Sequence, residues 1–169
     1  MSKSRKRERL KSKWYPAAIT IQVVLCIAST LSQPGPVSDE AGIREVLDRQ
    51  AAAWNAGDLR GYMEGYWSSD SLLFTSGGRI QRGWRETYEK YSRTYETREK
   101  MGILKFSKLE IRLLSSHAAW VFGNWELLRG QDYPHGVFTL VFRKFPSGWK
   151  IIHDHTSSSP ALDSLRHSQ

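Results

Sequence analysis

The chain has 169 residues, of which 25 are Lys or Arg, 17 are Asp or Glu and one is Cys. This length suits one domain, and an apolar content of 40 % is enough to bury a hydrophobic core. The formal net charge of +8 is concentrated in residues 1–32, which hold seven basic side chains and one acidic side chain. Residues 33–169 carry 18 basic and 16 acidic side chains, a net charge of +2. This near balance disfavours a nucleic-acid-binding surface, which needs clustered positive charge.

The first 32 residues are predicted to be an export signal. Residues 1–13 are basic, and residues 17–31 read AAITIQVVLCIASTL without a charge. This run is shorter than the roughly 20 apolar residues that span a bilayer, and its length is typical of a signal-peptide core. The small residues Thr30 and Ser32 indicate cleavage before Gln33. We therefore expect an exported protein, periplasmic or extracellular in a bacterium, that meets the membrane only through this signal.

Two other interpretations of this segment remain open. An uncleaved signal anchor is compatible with the length of the apolar run. A lipoprotein site at Cys26 is disfavoured, because Leu25 is a poor residue directly before a lipidated cysteine. Since Cys26 is the only cysteine, a chain that begins at Gln33 has no disulfide bond and no thiol nucleophile.

One α+β domain is predicted over residues 38–157, with a linker over residues 33–37 and a flexible tail over residues 158–169. Before Ile103, apolar residues recur mainly at steps of three and four, which is typical of helices. From Ile103 onward the period becomes two, which is typical of strands. Helices followed by antiparallel strands predict an antiparallel sheet with helices on one face.

Three helices and five strands follow from these periods. The helices begin after Ser38, after Asp58 and after Gly83. The strands are predicted over residues 72–75, 103–114, 118–130, 136–145 and 149–157, with a glycine turn after the first of them.

The sequence has no nucleotide-binding glycine loop, no nucleophile elbow, no zinc-protease helix and no cysteine pair. It therefore gives no support to a dinucleotide, nucleoside triphosphate or common hydrolase site. Its aromatic residues are more informative, because Tyr62, Tyr66, Tyr88 and Tyr91 fall on the core-facing sides of predicted helices. A buried tyrosine hydroxyl needs a hydrogen-bond partner, so this convergence favours a pocket over an ordinary dry core.

The last predicted strand, WKIIHDHTS, carries polar groups on both of its faces. Strict alternation gives two sets: Trp149, Ile151, His153 and His155 on one face, and Lys150, Ile152, Asp154 and Thr156 on the other. His153 and His155 have a spacing that could chelate a metal, but no third ligand is indicated, and we predict no metal site. Asp154 is either a structural residue or a carboxylate that points into the aromatic pocket.

The segments AWNAGDLRGYMEGYW and GWKIIHDHTS, with the RGW turn between them, resemble the nuclear-transport-factor-2-like superfamily. The sequence is most similar to its SnoaL-like branch and to domain of unknown function 4440. The calcium/calmodulin-dependent kinase association domain shares the W-x-x-x-H-x-H-x-S ending, present here as Trp149, His153, His155 and Ser157. The resemblance extends from about Ser38 to Ser157.

This resemblance implies a cone, in which a curved antiparallel sheet wraps three N-terminal helices and leaves a pocket at its open end. It places Tyr62, Thr75, Trp125, Asp154 and Thr156 at inward positions. With the helix aromatics and one further strand residue, the predicted ligand-binding set is Trp54, Tyr66, Thr75, Tyr88, Tyr91, Trp125, Leu140 and Thr156.

The resemblance also bears on the charge of the ligand. The kinase association domain directs arginines toward its pocket, and the matching positions here are Trp125, Leu140 and Thr156. An anionic ligand held by an arginine cluster is therefore disfavoured. An aromatic pocket with one carboxylate, and without a cofactor, is the expectation.

Three functions remain open, since the superfamily uses one scaffold for all of them. In an enzyme of the cyclase or isomerase kind, Asp154 is the general base and Tyr62 donates a hydrogen bond to a developing oxyanion. The alternatives are a non-catalytic module that binds a small organic molecule and a module that serves only assembly.

Two further expectations concern the oligomeric state of the protein and the pKa of Asp154. The predicted outer face of the last strand, with Trp149, Ile151, His153 and His155, would leave an apolar patch in water, so we expect a homodimer through it, as the family resemblance also implies. Asp154 in an apolar pocket should have a pKa above its ordinary value of about 3.9.

Overall fold

The computed structural model describes residues 38–159. The predicted signal, the linker and most of the predicted tail lie outside these residues. The helices are α1 Asp39–Asn55, α2 Leu59–Met63, α3 Trp84–Thr94 and α4 Arg98–Met101. The strands are β1 Leu73–Ser76, β2 Arg79–Arg82, β3 Ile103–Ser115, β4 Ala118–Leu128, β5 His135–Phe145 and β6 Gly148–Ser158. No helix within residues 38–159 is long and apolar enough to cross a membrane.

Helices α1 and α2 begin where the side chain of a capping residue accepts a hydrogen bond from a backbone N–H of the first turn. The Ser38 side chain accepts a hydrogen bond from the N–H of Ala41, and the Asp58 side chain accepts one from Gly61. Such caps stabilise a helix by about 1 kcal/mol each. The apolar period of α1 is confirmed as its buried face, which carries Ile43, Val46, Leu47, Gln50 and Trp54.

The strands form one six-stranded, curved and unclosed sheet in the order β2-β1-β6-β5-β4-β3. All neighbouring pairs are antiparallel except β1 and β6, which are parallel. The α+β architecture is as predicted. Two short elements were not, namely α4 and the edge strand β2, because four residues carry too little periodicity to identify either of them.

A register shift in β6 reverses its alternation at Ile152. His153 pairs with Val141 and Ile151 pairs with Phe142, so Ile152 is an extra residue without a partner on β5. An extra residue of this kind moves every following side chain to the other face. For this reason Asp154 and Ile151 both face the core, although strict alternation places them on opposite sides.

The prediction that Trp149 and Ile151 lie on the outer face is therefore wrong. Their exposed fractions are 5 % and 0 %, and both belong to the hydrophobic core. His153 and His155 follow the shift and lie on the outer face, where His155 is exposed and His153 is half-buried.

Replacing Ile151 tests this assignment. Ile151→Ala removes buried methyl groups from the core, and we expect the free energy of unfolding to fall by about 2–5 kcal/mol. His155→Ala, on the exposed side of the same strand, is the matched control and should change it by less than about 0.5 kcal/mol. Denaturant unfolding measures both. Similar, small losses in the two variants would contradict the register shift.

Candidate functional site

A cavity of about 280 Å³ lies between the helices and the inner face of the sheet. Nine of its 22 lining residues in the described part of the chain are aromatic. The core-facing stripes of three helices meet the inward side chains of the strands there. The aromatic lining residues are Trp54, Tyr62, Tyr66, Phe74, Tyr91, Tyr95, Phe106, Trp125 and Phe138. Their edge-to-face contacts, such as Trp54 on Tyr62 with ring centroids 4.9 Å apart, hold the wall in place.

Asp154 is the only carboxylate among the lining residues within the described part of the chain. It is 4 % exposed, and both of its oxygens accept a hydrogen bond. The hydroxyl of Tyr66 donates to Oδ2 over 2.8 Å, and the hydroxyl of Thr156 donates to Oδ1 over 2.6 Å. These donors replace part of the hydration that an ionised carboxylate loses on burial.

The backbone places Tyr66 beside this carboxylate. The N–H of Ile151 donates to the carbonyl of Gly65 over 3.0 Å, and the N–H of Trp67 donates to the carbonyl of Ile151 over 2.9 Å. The segment after α2 is thus bound to β6 on both sides of Tyr66. This pairing brings the Tyr66 hydroxyl to Asp154, three residues farther along β6.

Tyr62 is linked to the carboxylate through the hydroxyl of Tyr66. Its oxygen is 3.1 Å from that of Tyr66. A tyrosine hydroxyl has one proton, and Tyr66 donates its proton to Asp154, so Tyr62 must donate to Tyr66. The predicted role of Tyr62 as a donor to the ligand therefore conflicts with this network, since its proton is engaged while Asp154 is ionised.

Burial determines which side chains of this network are ionised near neutral pH. Burial raises the pKa of Asp154 to about 6, although the hydrogen bonds from Thr156 and Tyr66 act in the opposite direction. Burial and the nearby charge of Asp154 raise the pKa of Tyr62 and Tyr66 well above the usual tyrosine value. The tyrosines are therefore neutral donors, and the carboxylate is the group that changes charge near neutral pH.

Most of the predicted ligand-binding residues line the cavity: Trp54, Tyr66, Tyr91, Trp125, Leu140 and Thr156, together with the predicted pair Asp154 and Tyr62. Two do not. Tyr88 is stacked on Trp84, with ring centroids 5.4 Å apart and an interplanar angle of 11°. Thr75 follows the inward-facing Phe74 in β1, so it lies on the outer face, where it is paired with His155.

Sequence reasoning missed several lining residues. Phe106 and Phe138 are inward positions of β3 and β5, and strand alternation could have indicated them. Arg79 and Lys90 also line the cavity, from β2 and α3. Arg79 could not have been found, because β2 itself was not predicted.

The two strand histidines do not form a metal site with other residues. Among residues 38–159, no group of three or more His, Cys, Asp or Glu side chains could hold a metal ion. His153 and His155 lie on the outer face, away from the cavity.

The raised pKa of Asp154 predicts a pH-dependent stability. Because its pKa is about 6 in the folded protein and 3.8 ordinarily, the folded state binds this proton more tightly. The resulting stabilisation is complete below the lower value and is lost as the pH rises through about 6, by a total of about 3 kcal/mol. Asp154→Asn should remove this loss, whereas Asp48→Asn, at an exposed carboxyl of α1, should not. Denaturant unfolding between about pH 4 and pH 7 measures the difference. Parallel pH profiles for Asp154→Asn and the unmodified protein would contradict it.

Comparison with known proteins places this fold in a family. The profile of the SnoaL-like domain matches residues 43–161. A crystal structure of an NTF-2 like protein of unknown function from Shewanella oneidensis MR-1 has 43 % sequence identity and a TM-score of 0.69, covering 71 % of this chain and 99 % of that chain. No curated protein matches the sequence.

Two more distant structures share the fold alone. A protein of unknown function with a cystatin-like fold from Nostoc punctiforme is 16 % identical, with a TM-score of 0.60, covering 75 % of this chain and 95 % of that chain. A calcium/calmodulin dependent protein kinase II association domain-like protein from Xanthomonas campestris is also 16 % identical, with a TM-score of 0.57 and coverage of 71 % and 87 %. The chain belongs to the SnoaL-like domain family of the nuclear-transport-factor-2-like superfamily.

Proposed function

We propose that the domain binds a small organic molecule in its aromatic cavity. The observation that carries this proposal is the cavity itself, about 280 Å³ of space with aromatic walls and a buried carboxylate. A domain that used this fold only for assembly would gain stability by filling that space with side chains. Cavities with apolar walls and a few convergent polar groups are the usual form of small-molecule sites.

The polar groups of the wall divide into engaged and available donors. The protons of Tyr62, Tyr66 and Thr156 are directed along the network toward Asp154. Tyr91 and Tyr95 line the same cavity, and their hydroxyls take no part in the hydrogen-bond network at Asp154. A bound molecule would therefore meet an acceptor at Asp154 and donors at Tyr91, in α3, and at Tyr95, directly after it.

This arrangement supports proton transfer as the chemistry, with Asp154 as the general base. A carboxylate whose pKa is about 6 is mostly ionised at neutral pH and is a stronger base than an ordinary aspartate. It would take a proton from a carbon next to a ligand carbonyl, and the electron pair would move onto the carbonyl oxygen. The hydroxyl of Tyr91 would stabilise that oxygen, in place of Tyr62.

Non-catalytic binding in the same cavity is the alternative. It needs the aromatic wall and the donors but no ionisable base. Asp154→Asn distinguishes the two, since it preserves the shape of the side chain while it removes the base. One acceptor oxygen becomes an NH2 donor, so the hydroxyl of either Tyr66 or Thr156 must reorient to accept from it. A binding module would retain affinity for a neutral ligand, and an enzyme would lose turnover.

A variant that closes the mouth tests binding. Thr94 is an exposed lining residue near the end of α3, and Thr94→Trp should obstruct entry without altering the core. We expect it to weaken binding of cinnamamide, a neutral aromatic probe, by at least about tenfold in calorimetry. Arg93→Trp, the exposed neighbour that does not line the cavity, is the control. Mass spectrometry of molecules that copurify with the protein should find a ligand in the control and not in Thr94→Trp. Failure of cinnamamide to bind the unmodified protein, with nothing copurifying, would overturn the proposal.

We also propose that the outer face of the sheet mediates a homodimer. Trp149 and Ile151 do not contribute, because they are buried in the core. The apolar residues that remain on this face include Phe122 and Val137, which are 37 % and 38 % exposed. Val137 lies beside Ser157 of β6, and Phe122 lies one strand farther away, beside Thr139 of β5, so an apolar surface is available for a second copy.

Sedimentation at micromolar concentration tests the dimer. The purified protein should sediment as a dimer, and Phe122→Lys should shift it toward monomer, because a lysine at the contact would lose its hydration. Tyr133→Lys, at an exposed site in the loop before β5, should leave the dimer unchanged. A monomer at this concentration in the unmodified protein would reject the proposal.

Export of the protein stays a prediction from the sequence of residues 1–32.

A further inference from the structure

We propose that the ligand of the cavity is a small, ring-containing monoanion whose charged group lies at Arg79 and Lys90. This inference rests on the proposed function, because it names the class of molecule that the same cavity binds. It corrects the sequence-based expectation that an anionic ligand is disfavoured, which considered only Trp125, Leu140 and Thr156 at the positions that carry arginines in the kinase association domain.

The cavity has a distinct charge at each end. Its charged lining residues are Arg79, Lys90 and Asp154. Asp154 is buried, whereas Arg79 and Lys90 are exposed, so the two cations mark the end that opens to solvent. Both side chains line the same cavity, Arg79 from β2 and Lys90 from α3, and only Gly83 separates these two elements in the chain.

Neither cation has a partner within residues 38–159. No ion pair of Arg79 or Lys90 occurs there, although acidic side chains are present on the same helix. Glu89 is paired with Arg93, and the acid that follows α3 is paired with a lysine of α4. Glu86, one turn before Lys90 on α3, forms no ion pair with it within the described residues. The opening of the cavity therefore presents two positive charges that no ion pair engages in this part of the chain.

The charge at the buried end fixes the orientation of an anion. With Asp154 ionised, a second negative group beside it would meet repulsion in a medium of low dielectric constant. At Arg79 and Lys90, the same group gains two attractive partners. The lining charges sum to +1, so one negative charge makes the occupied cavity neutral.

The aromatic wall indicates the chemistry of the uncharged part of the ligand. Trp54, Tyr91, Phe106 and Phe138 line the same cavity as the charged residues. Planar rings are complementary to such a wall, and their burial provides affinity independent of charge. A single aromatic ring with a short acidic substituent has the size and polarity that this aromatic wall and the two cations require.

A matched pair of probes tests the inference. Cinnamate and cinnamamide have the same shape and differ in charge. In calorimetry at near-neutral pH and fixed ionic strength, we expect the protein to bind cinnamate at least about threefold more tightly than cinnamamide, since each exposed ion pair contributes modestly. Arg79→Gln and Lys90→Gln should each reduce this preference, and the double variant should abolish it while it retains affinity for cinnamamide.

Two variants on the same elements are the controls. Arg82→Gln lies on β2 and Arg85→Gln on α3, and neither residue lines the cavity, so both should keep the preference. Equal affinities for the two probes, or an unchanged preference in the double variant, would overturn the inference and leave the proposed binding function standing. Failure of both probes to bind, with nothing copurifying with the protein, would overturn both proposals.

Discussion

The buried carboxylate of Asp154 is the constraint around which the site is organised. An ionised group that is 4 % exposed is costly unless donors replace its hydration, and here Tyr66 and Thr156 provide one hydrogen bond to each oxygen. This requirement explains why the segment after α2 is bound to β6, since that pairing holds the Tyr66 hydroxyl in place. The remaining cost appears as a raised pKa, which makes the same residue suitable as a base near neutral pH.

The register shift at Ile152 allows one strand to serve two purposes. Before the shift, Trp149 and Ile151 fill the hydrophobic core, and after it Asp154 and Thr156 line the cavity. A regular strand could not place all four inward, because odd and even positions would face opposite ways. Extra residues of this type are frequent next to active sites, where they direct a side chain that regular pairing would turn away. In β6 that side chain is Asp154.

The cavity combines an apolar wall with opposite charges at its two ends. The wall favours binding of a ring through burial of apolar area, and it selects weakly among rings of similar size. In the proposed binding site, selectivity would come from the polar groups: Asp154, Tyr91 and Tyr95 inside, and Arg79 and Lys90 at the opening. Since one fold supports many unrelated functions, fold membership alone does not identify the ligand.

Local periodicity and residue types were enough to predict the α+β fold, the caps at Ser38 and Asp58 and the buried face of α1, and the sequence motifs indicated the family. They also indicated Asp154 and much of the aromatic wall. Periodicity could not show that Trp149 and Ile151 face inward, that Thr75 faces outward or that Tyr88 stacks on Trp84. The tertiary structure decided these orientations, and it likewise decided that Tyr66 contacts Asp154 and that Arg79 reaches the cavity. The physical reason is that strand register and long-range hydrogen bonds join residues far apart in the chain, and a single extra residue in β6 reverses a pattern that sequence alternation alone would extend unchanged.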